Sequence, residues 1–65
     1  MTDRETALEG RMVGLRLGIS IGAAADQLAA DAARTGGPVW ARFNGWTLTA
    51  RPGETAVEIL ARLAR

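Results

Sequence analysis

Asn44-Gly45, set between the five-residue runs Val39-Trp40-Ala41-Arg42-Phe43 and Trp46-Thr47-Leu48-Thr49-Ala50, constrains this chain more than any other feature. A type I′ turn needs positive φ at both central residues, and Asn-Gly meets that demand at little steric cost, so a two-residue hairpin is predicted here. In that register Phe43 faces Trp46, Arg42 faces Thr47, Ala41 faces Leu48, Trp40 faces Thr49 and Val39 faces Ala50. Side chains along a strand alternate between faces. One face then carries Val39, Ala41, Phe43, Trp46, Leu48 and Ala50, which has the composition of a core. The other carries Trp40, Arg42, Thr47 and Thr49, with Arg51 following. Gly36-Gly37-Pro38 and Pro52-Gly53 break the chain on either side.

The segment after the hairpin reads as a short helix over residues 55–64. Thr55-Ala56-Val57-Glu58 is a capping box, in which the Thr side chain caps the first turn and the Glu side chain reaches back. Ala56, Ile59, Leu60 and Leu63 fall at i, i+3, i+4 and i+7, one apolar stripe. Arg62 and Arg65 sit near the C-terminal end, where the helix dipole favours cations.

The first half carries two competing periods. Thr2-Asp3-Arg4-Glu5 is a second capping box, Ala23 to Arg34 is alanine-rich, and Thr35-Gly36-Gly37 supplies a glycine stop. Between these, Gly10, Gly14, Gly18 and Gly22 recur every four residues, and Leu8, Met12, Leu15 and Ile19 share a helical face. That pattern predicts a long or kinked helix over residues 3–34, with the glycines forming a groove for a neighbouring helix. Each interior Gly costs about 1 kcal/mol relative to Ala, which packing in the groove must offset. Yet Val13, Leu15, Leu17, Ile19 and Ile21 alternate strictly with Gly14, Arg16, Gly18, Ser20 and Gly22, which favours a strand over 12–21. The expected fold is thus a single α+β domain, residues 1–65, in the order α-β-β-α: a long N-terminal helix, an antiparallel hairpin and a short C-terminal helix. The alternative adds a third strand at 12–21.

A chain of 65 residues buries only about 60% of its unfolded surface and is marginally stable unless cross-linked, metal-bound or paired with another chain. It has neither cysteine nor histidine, so a disulfide is excluded and a zinc site is not expected. A lone hairpin is marginal in water and leaves two strand edges exposed. A homodimer, its hairpins paired edge to edge, is therefore expected. No apolar run approaches the ~20 residues that span a bilayer, and Met1-Thr2-Asp3-Arg4-Glu5-Thr6 is charged from the start, so no membrane partner and a cytoplasmic location are expected.

The inventory of reactive groups points away from catalysis. There is no His, Cys, Tyr or Lys, and the single serine, Ser20, has no base to activate it. Asp26 and Asp31 are five apart and do not face each other on a helix. Glu5 and Glu58 are accounted for as capping partners. The glycine ladder lacks the Lys-Ser or Lys-Thr of a phosphate loop. No catalytic residue, metal or cofactor is expected. All eight basic residues are arginine and the net charge is +1, too small for the strong basic field of most nucleic-acid binders. The outward hairpin face is the candidate contact: Trp40 beside Arg42 and Arg51, with Thr47 and Thr49, has the composition of an interface hot spot. The same residues would suit base stacking with phosphate contacts. A purely structural reading is a cation–π contact between Arg42 and Trp40 beneath the first helix.

Two resemblances follow. Val39 to Leu63, hairpin then Pro52-Gly53-Glu54-Thr55 and helix, looks like the opening ββα of ubiquitin-like β-grasp proteins such as the sulfur carriers. A sulfur carrier ends in Gly-Gly where this sequence reads Leu63-Ala64-Arg65, so that resemblance implies an element order and no activity. An alanine-rich helix followed by Ala41-Arg42-Phe43-Asn44-Gly45-Trp46 and Pro52-Gly53-Glu54-Thr55 resembles short reading frames of bacteriophages and prophages, and through them the anti-CRISPR proteins. That resemblance implies a non-enzymatic inhibitor that binds a host protein or nucleoprotein complex, such as a CRISPR effector, by steric occlusion. It assigns no site residues. The alternatives are a small DNA-binding regulator using the hairpin face, and a structural or assembly subunit.

Overall fold

The two alternating runs pair as the turn chemistry predicts. In the computed structural model, which describes residues 10–63, the elements run β1 (Arg11–Met12), α1 (Ile21–Thr35), β2 (Val39–Phe43), β3 (Trp46–Ala50) and α2 (Ala56–Ala61). Asn44 and Gly45 both have positive φ, 46° and 84°, as the type I′ reversal requires. The register is the predicted one, from Phe43 opposite Trp46 to Val39 opposite Ala50. The fold is α+β, and its sheet has three strands in the order β1-β2-β3.

The long helix over 3–34 is not formed across residues 10–20; its first part, with the Thr2–Glu5 capping box, lies outside the described residues. The helix begins at Ile21 and runs 15 residues. Ser20 is its N-cap, the side-chain oxygen accepting from the Ala23 N–H at 3.1 Å, and Gly36 its C-cap. The physical reason lies in the glycines. Gly10 and Gly18 have φ of 81° and 79°, outside any helix, so the four-residue ladder is divided: only Gly22 lies in α1 and no continuous helical groove forms. A Cβ at residue 10 would collide with the Pro38 backbone carbonyl, so the first strand can approach the chain before β2 only at a glycine.

The strand alternative is met in part. Only Arg11 and Met12 form ladder pairs, parallel to Val39 and Trp40. The Val13 N–H continues the pairing by donating to the Trp40 carbonyl at 2.7 Å. Beyond it the chain leaves the sheet, yet the period of two persists in burial: Val13, Leu15, Ile19 and Ile21 pack against the core. Leu17 breaks the pattern, wholly exposed at the tip of a turn that the Ile19 N–H closes onto the Arg16 carbonyl at 3.3 Å. The Gln27 side chain donates to the Gly14 carbonyl at 3.3 Å and ties this segment to α1.

Both helices pack on one side of the sheet. Ala24, Ala25, Leu28 and Ala32 of α1 and Ile59 of α2 join Val39, Ala41, Leu48 and Ala50 in one buried cluster. Alanine against alanine lets helix and sheet approach closely, but each alanine removes little apolar area from water. Leu28, Leu48 and Ile59 are the largest fully buried side chains, and partly buried Phe43, Trp46 and Leu60 pack against the same cluster. The capping box of α2 is formed in both directions, Glu58 N–H to the Thr55 hydroxyl at 3.3 Å and Thr55 N–H to the Glu58 carboxylate at 3.1 Å.

Leu28→Ala is expected to remove about 2–5 kcal/mol. A chain of 65 residues has only about 3–10 kcal/mol in all, so this variant should be largely unfolded or close to it. Val57→Ala, at a site 76% exposed, should shift stability by no more than about 0.5 kcal/mol. Urea unfolding followed by circular dichroism measures both.

Candidate functional site

Because the helices occupy one face of the sheet, no described helix covers the other. The pleat places Trp40, Arg42, Thr47 and Thr49 on that open face, and pairing of Met12 with Trp40 brings the β1 side chain alongside. Trp40 and Thr49 are half-buried and Arg42 is exposed. The Arg42 guanidinium lies over the Trp40 ring, 6.0 Å from its centroid. Arg42 thus follows the structural reading in contacting the ring, whereas α1, which that reading placed above the indole, packs on the opposite face. A cation–π contact at an exposed site is worth about 0.5–1 kcal/mol, less than a charge-assisted hydrogen bond of about 1.5–3 kcal/mol, so an arriving anion can draw the guanidinium off the ring.

Thr47 lies opposite Arg42 and diagonal to Trp40, and is only 7% exposed. Its hydroxyl is buried without a hydrogen-bond partner. An unsatisfied polar group of this kind costs about 1–3 kcal/mol, which a ligand reaching the hydroxyl would relieve. Met12, 59% exposed, is the member of the face that sequence reasoning missed. The four-residue period sets it on a helical face and the strand alternative over 12–21 includes it, but its place depends on a parallel pairing with β2 that no local signal announces.

Arg51 stands apart from the other four. It lies beyond the end of β3, where its N–H donates to the Glu54 carboxylate at 2.6 Å and its carbonyl accepts from the Glu54 N–H at 3.1 Å. The same carboxylate takes both terminal guanidinium nitrogens of Arg62, Nη1 and Nη2, the latter at 2.8 Å. Arg62 Nη2 also donates to the Thr49 carbonyl at 2.7 Å. Arg62, expected to serve the helix dipole, is the C-cap of α2 and folds back to this ion pair; Arg65 lies outside the described residues. The Arg62 hydrogen bonds, with that from the Arg51 backbone, hold the Glu54 carboxyl down at about 2, against its ordinary 4.5.

An open hollow of about 290 Å³ lies between β1 and the end of α1, lined by Arg11, Met12, Val13, Asp31, Arg34, Thr35 and Val39. Asp31 and Arg34 pair there at 2.8 Å. No three His, Cys, Asp or Glu side chains come together as a metal site among the described residues, and no described helix is long and apolar enough to cross a membrane. Compared with protein families, curated proteins and solved structures, the chain matches none.

The ion pair makes a pH prediction. Glu54 stays ionised in the folded chain down to about pH 2, and in the unfolded chain only above about pH 4.5, so its contribution is complete above 4.5 and is lost as pH falls from there through 2. Glu54→Gln should therefore be less stable than the parent at neutral pH, and the gap should close across that interval. Thermal unfolding of both proteins at a series of pH values gives the comparison.

Proposed function

We propose that this chain is a non-enzymatic binding protein that applies the open face of its sheet to a host protein or nucleoprotein complex and blocks it sterically. The observation that carries the reading is the Trp40 ring with the Arg42 guanidinium over it, on a face that no described helix covers. An indole beside an arginine is the pairing most enriched where truncation weakens an interface by 2 kcal/mol or more, on the order of thirtyfold in affinity. The unsatisfied Thr47 hydroxyl lies buried beside them, and an incoming polar group would reach it only if the covering side chains move aside. In the version that the phage-protein resemblance suggests, the target is a CRISPR effector complex and the action is anti-CRISPR inhibition. Trp40, Arg42 and Thr47 are the central contacts, with Met12, Thr49 and Arg51 around them.

A small DNA-binding regulator is the second reading, favoured by one observation: the one charged side chain that the hairpin register places on this face, Arg42, is cationic, with Arg51 just beyond β3. Two phosphate contacts would give a slope of about −2 in log affinity against log salt.

The decisive comparison is binding of the parent chain, Trp40→Ala and Arg42→Ala to purified CRISPR effector complexes and, separately, to duplex DNA over a range of salt. The inhibitor reading expects nuclease or target-DNA binding by the effector to fall in the parent's presence. It also expects a loss of affinity of roughly thirtyfold or more for Trp40→Ala, with the fold retained. No binding to any effector, with salt-dependent binding to DNA, would transfer the assignment to the second reading. Unchanged affinity in both variants would remove the face from either.

A further inference from the structure

Asn44 is the single asparagine of the chain, and glycine follows it. That pair carries a chemistry of its own. The main-chain nitrogen of the glycine can attack the side-chain carbonyl carbon of the asparagine, because the glycine has no Cβ to hinder the approach. A five-membered imide ring forms and ammonia leaves. Asn44 and Gly45 are both exposed, so water and base reach them. Neither the Asn44 side chain nor the Gly45 N–H makes a hydrogen bond among the described residues, and a Cβ built at residue 45 would meet no atom.

The turn itself is what opposes the reaction. Ring closure needs the Gly45 nitrogen nearly eclipsed with Cβ about the Cα–C bond of Asn44. The Asn44 φ of 46° and the Gly45 φ of 84° are those of a type I′ turn. In that turn ψ of the first central residue is about +30°, the mirror image of type I. At the tetrahedral Cα of an L-residue, such a ψ leaves the Gly45 nitrogen almost opposite Cβ, away from the carbon it would attack. Asn44 must leave the left-handed region before the ring can close. The cross-strand pairs from Phe43–Trp46 to Val39–Ala50 hold it there.

We infer that Asn44 is a modification site gated by opening of the hairpin, and that its main product cannot rebuild the turn. In the opened chain the Gly45 nitrogen gives its proton to hydroxide and bonds to Cγ of Asn44. The Cγ–Nδ2 bond breaks, and the amide nitrogen takes a proton from water and leaves as ammonia. Water then opens the imide at one of its two carbonyls. Opening at Cγ leaves an ordinary aspartate, and aspartate before glycine still suits a type I′ turn. Opening at the main-chain carbonyl leaves an isoaspartate, whose backbone runs through Cβ and Cγ and is one carbon longer. A two-residue reversal in the same register is then lost. That register sets Trp40, Arg42, Thr47 and Thr49 on one face, so the same event dismantles the open face, whatever it binds.

The test is incubation of the full chain at mildly alkaline pH, folded and in guanidinium chloride, at equal pH and temperature. Reversed-phase chromatography separates the products, and an isoaspartate-directed methyltransferase distinguishes the two. The unfolded chain should convert roughly tenfold or more faster than the folded one, a ratio set by how seldom the hairpin opens. Asn44→Gly keeps a Gly-Gly turn of the same type and should show no conversion in either state. The purified isoaspartyl chain should lose the near-ultraviolet circular dichroism of the parent, and the aspartyl chain should keep it. Equal rates in the folded and unfolded chains overturn the gating. No conversion in the unfolded chain, or conversion that persists in Asn44→Gly, overturns the site. An isoaspartyl chain with the parent's spectrum and denaturation midpoint overturns the loss of the turn.

Discussion

The reversal at Asn44-Gly45 sets the register between β2 and β3, and every later feature inherits that register. A slip of one residue would exchange the two faces, turning Trp40, Arg42 and Thr47 toward the helices and Leu48 and Ala41 toward water. Burial opposes such a slip strongly on one side only, because Val39, Ala41, Leu48 and Ala50 are covered by α1 and α2. The turn and the one-sided core therefore specify the same alignment, one through backbone dihedrals and the other through apolar area.

That one-sidedness connects the fold to the proposed function. With so many alanines in the interface between helix and sheet, Leu28 and Ile59 from the helices and Leu48 from the sheet are the largest fully buried side chains. The remaining large aromatic of β2, Trp40, is left on the opposite face with a guanidinium for company. The chain thus presents an indole and a cation on the hairpin ladder, above a buried, unsatisfied hydroxyl. Two of its carboxylates serve the C-terminal helix: Glu58 closes the capping box, and Glu54 holds the arginine that caps the helix end and reaches the Thr49 carbonyl.

Legibility in the sequence followed the range of the interactions. The hairpin, its faces, the glycine stop after α1 and the Thr55–Glu58 box all depend on residues within a few positions of one another, and each stands where local chemistry predicts. The stretch from Gly10 to Gly22 did not yield to the same reading because two periods coexist in it. The period of two governs burial of Val13, Leu15 and Ile19 but not strand pairing, which ends after Met12. The period of four has no structural counterpart, since Gly10 and Gly18 serve turns. Ser20, which the alternating period assigns to a strand, marks the true helix start, a signal weakened by the lack of a Glu or Gln three residues on.

What the amino-acid sequence determined by itself is the alternation of the hairpin, the placing of Trp40, Arg42, Thr47 and Thr49 on one side of it, and the start of the C-terminal helix; the expected end at residue 64 gives way to one at Ala61. These are short-range consequences of φ preferences and the two-residue pleat. Only the tertiary structure decided which face of the sheet the helices would cover, that Met12 would join the open face through a parallel pairing, and that Arg62 would reach the Thr49 carbonyl. Each of these joins residues far apart in the chain, and its free energy comes from packing and geometry that no local window contains.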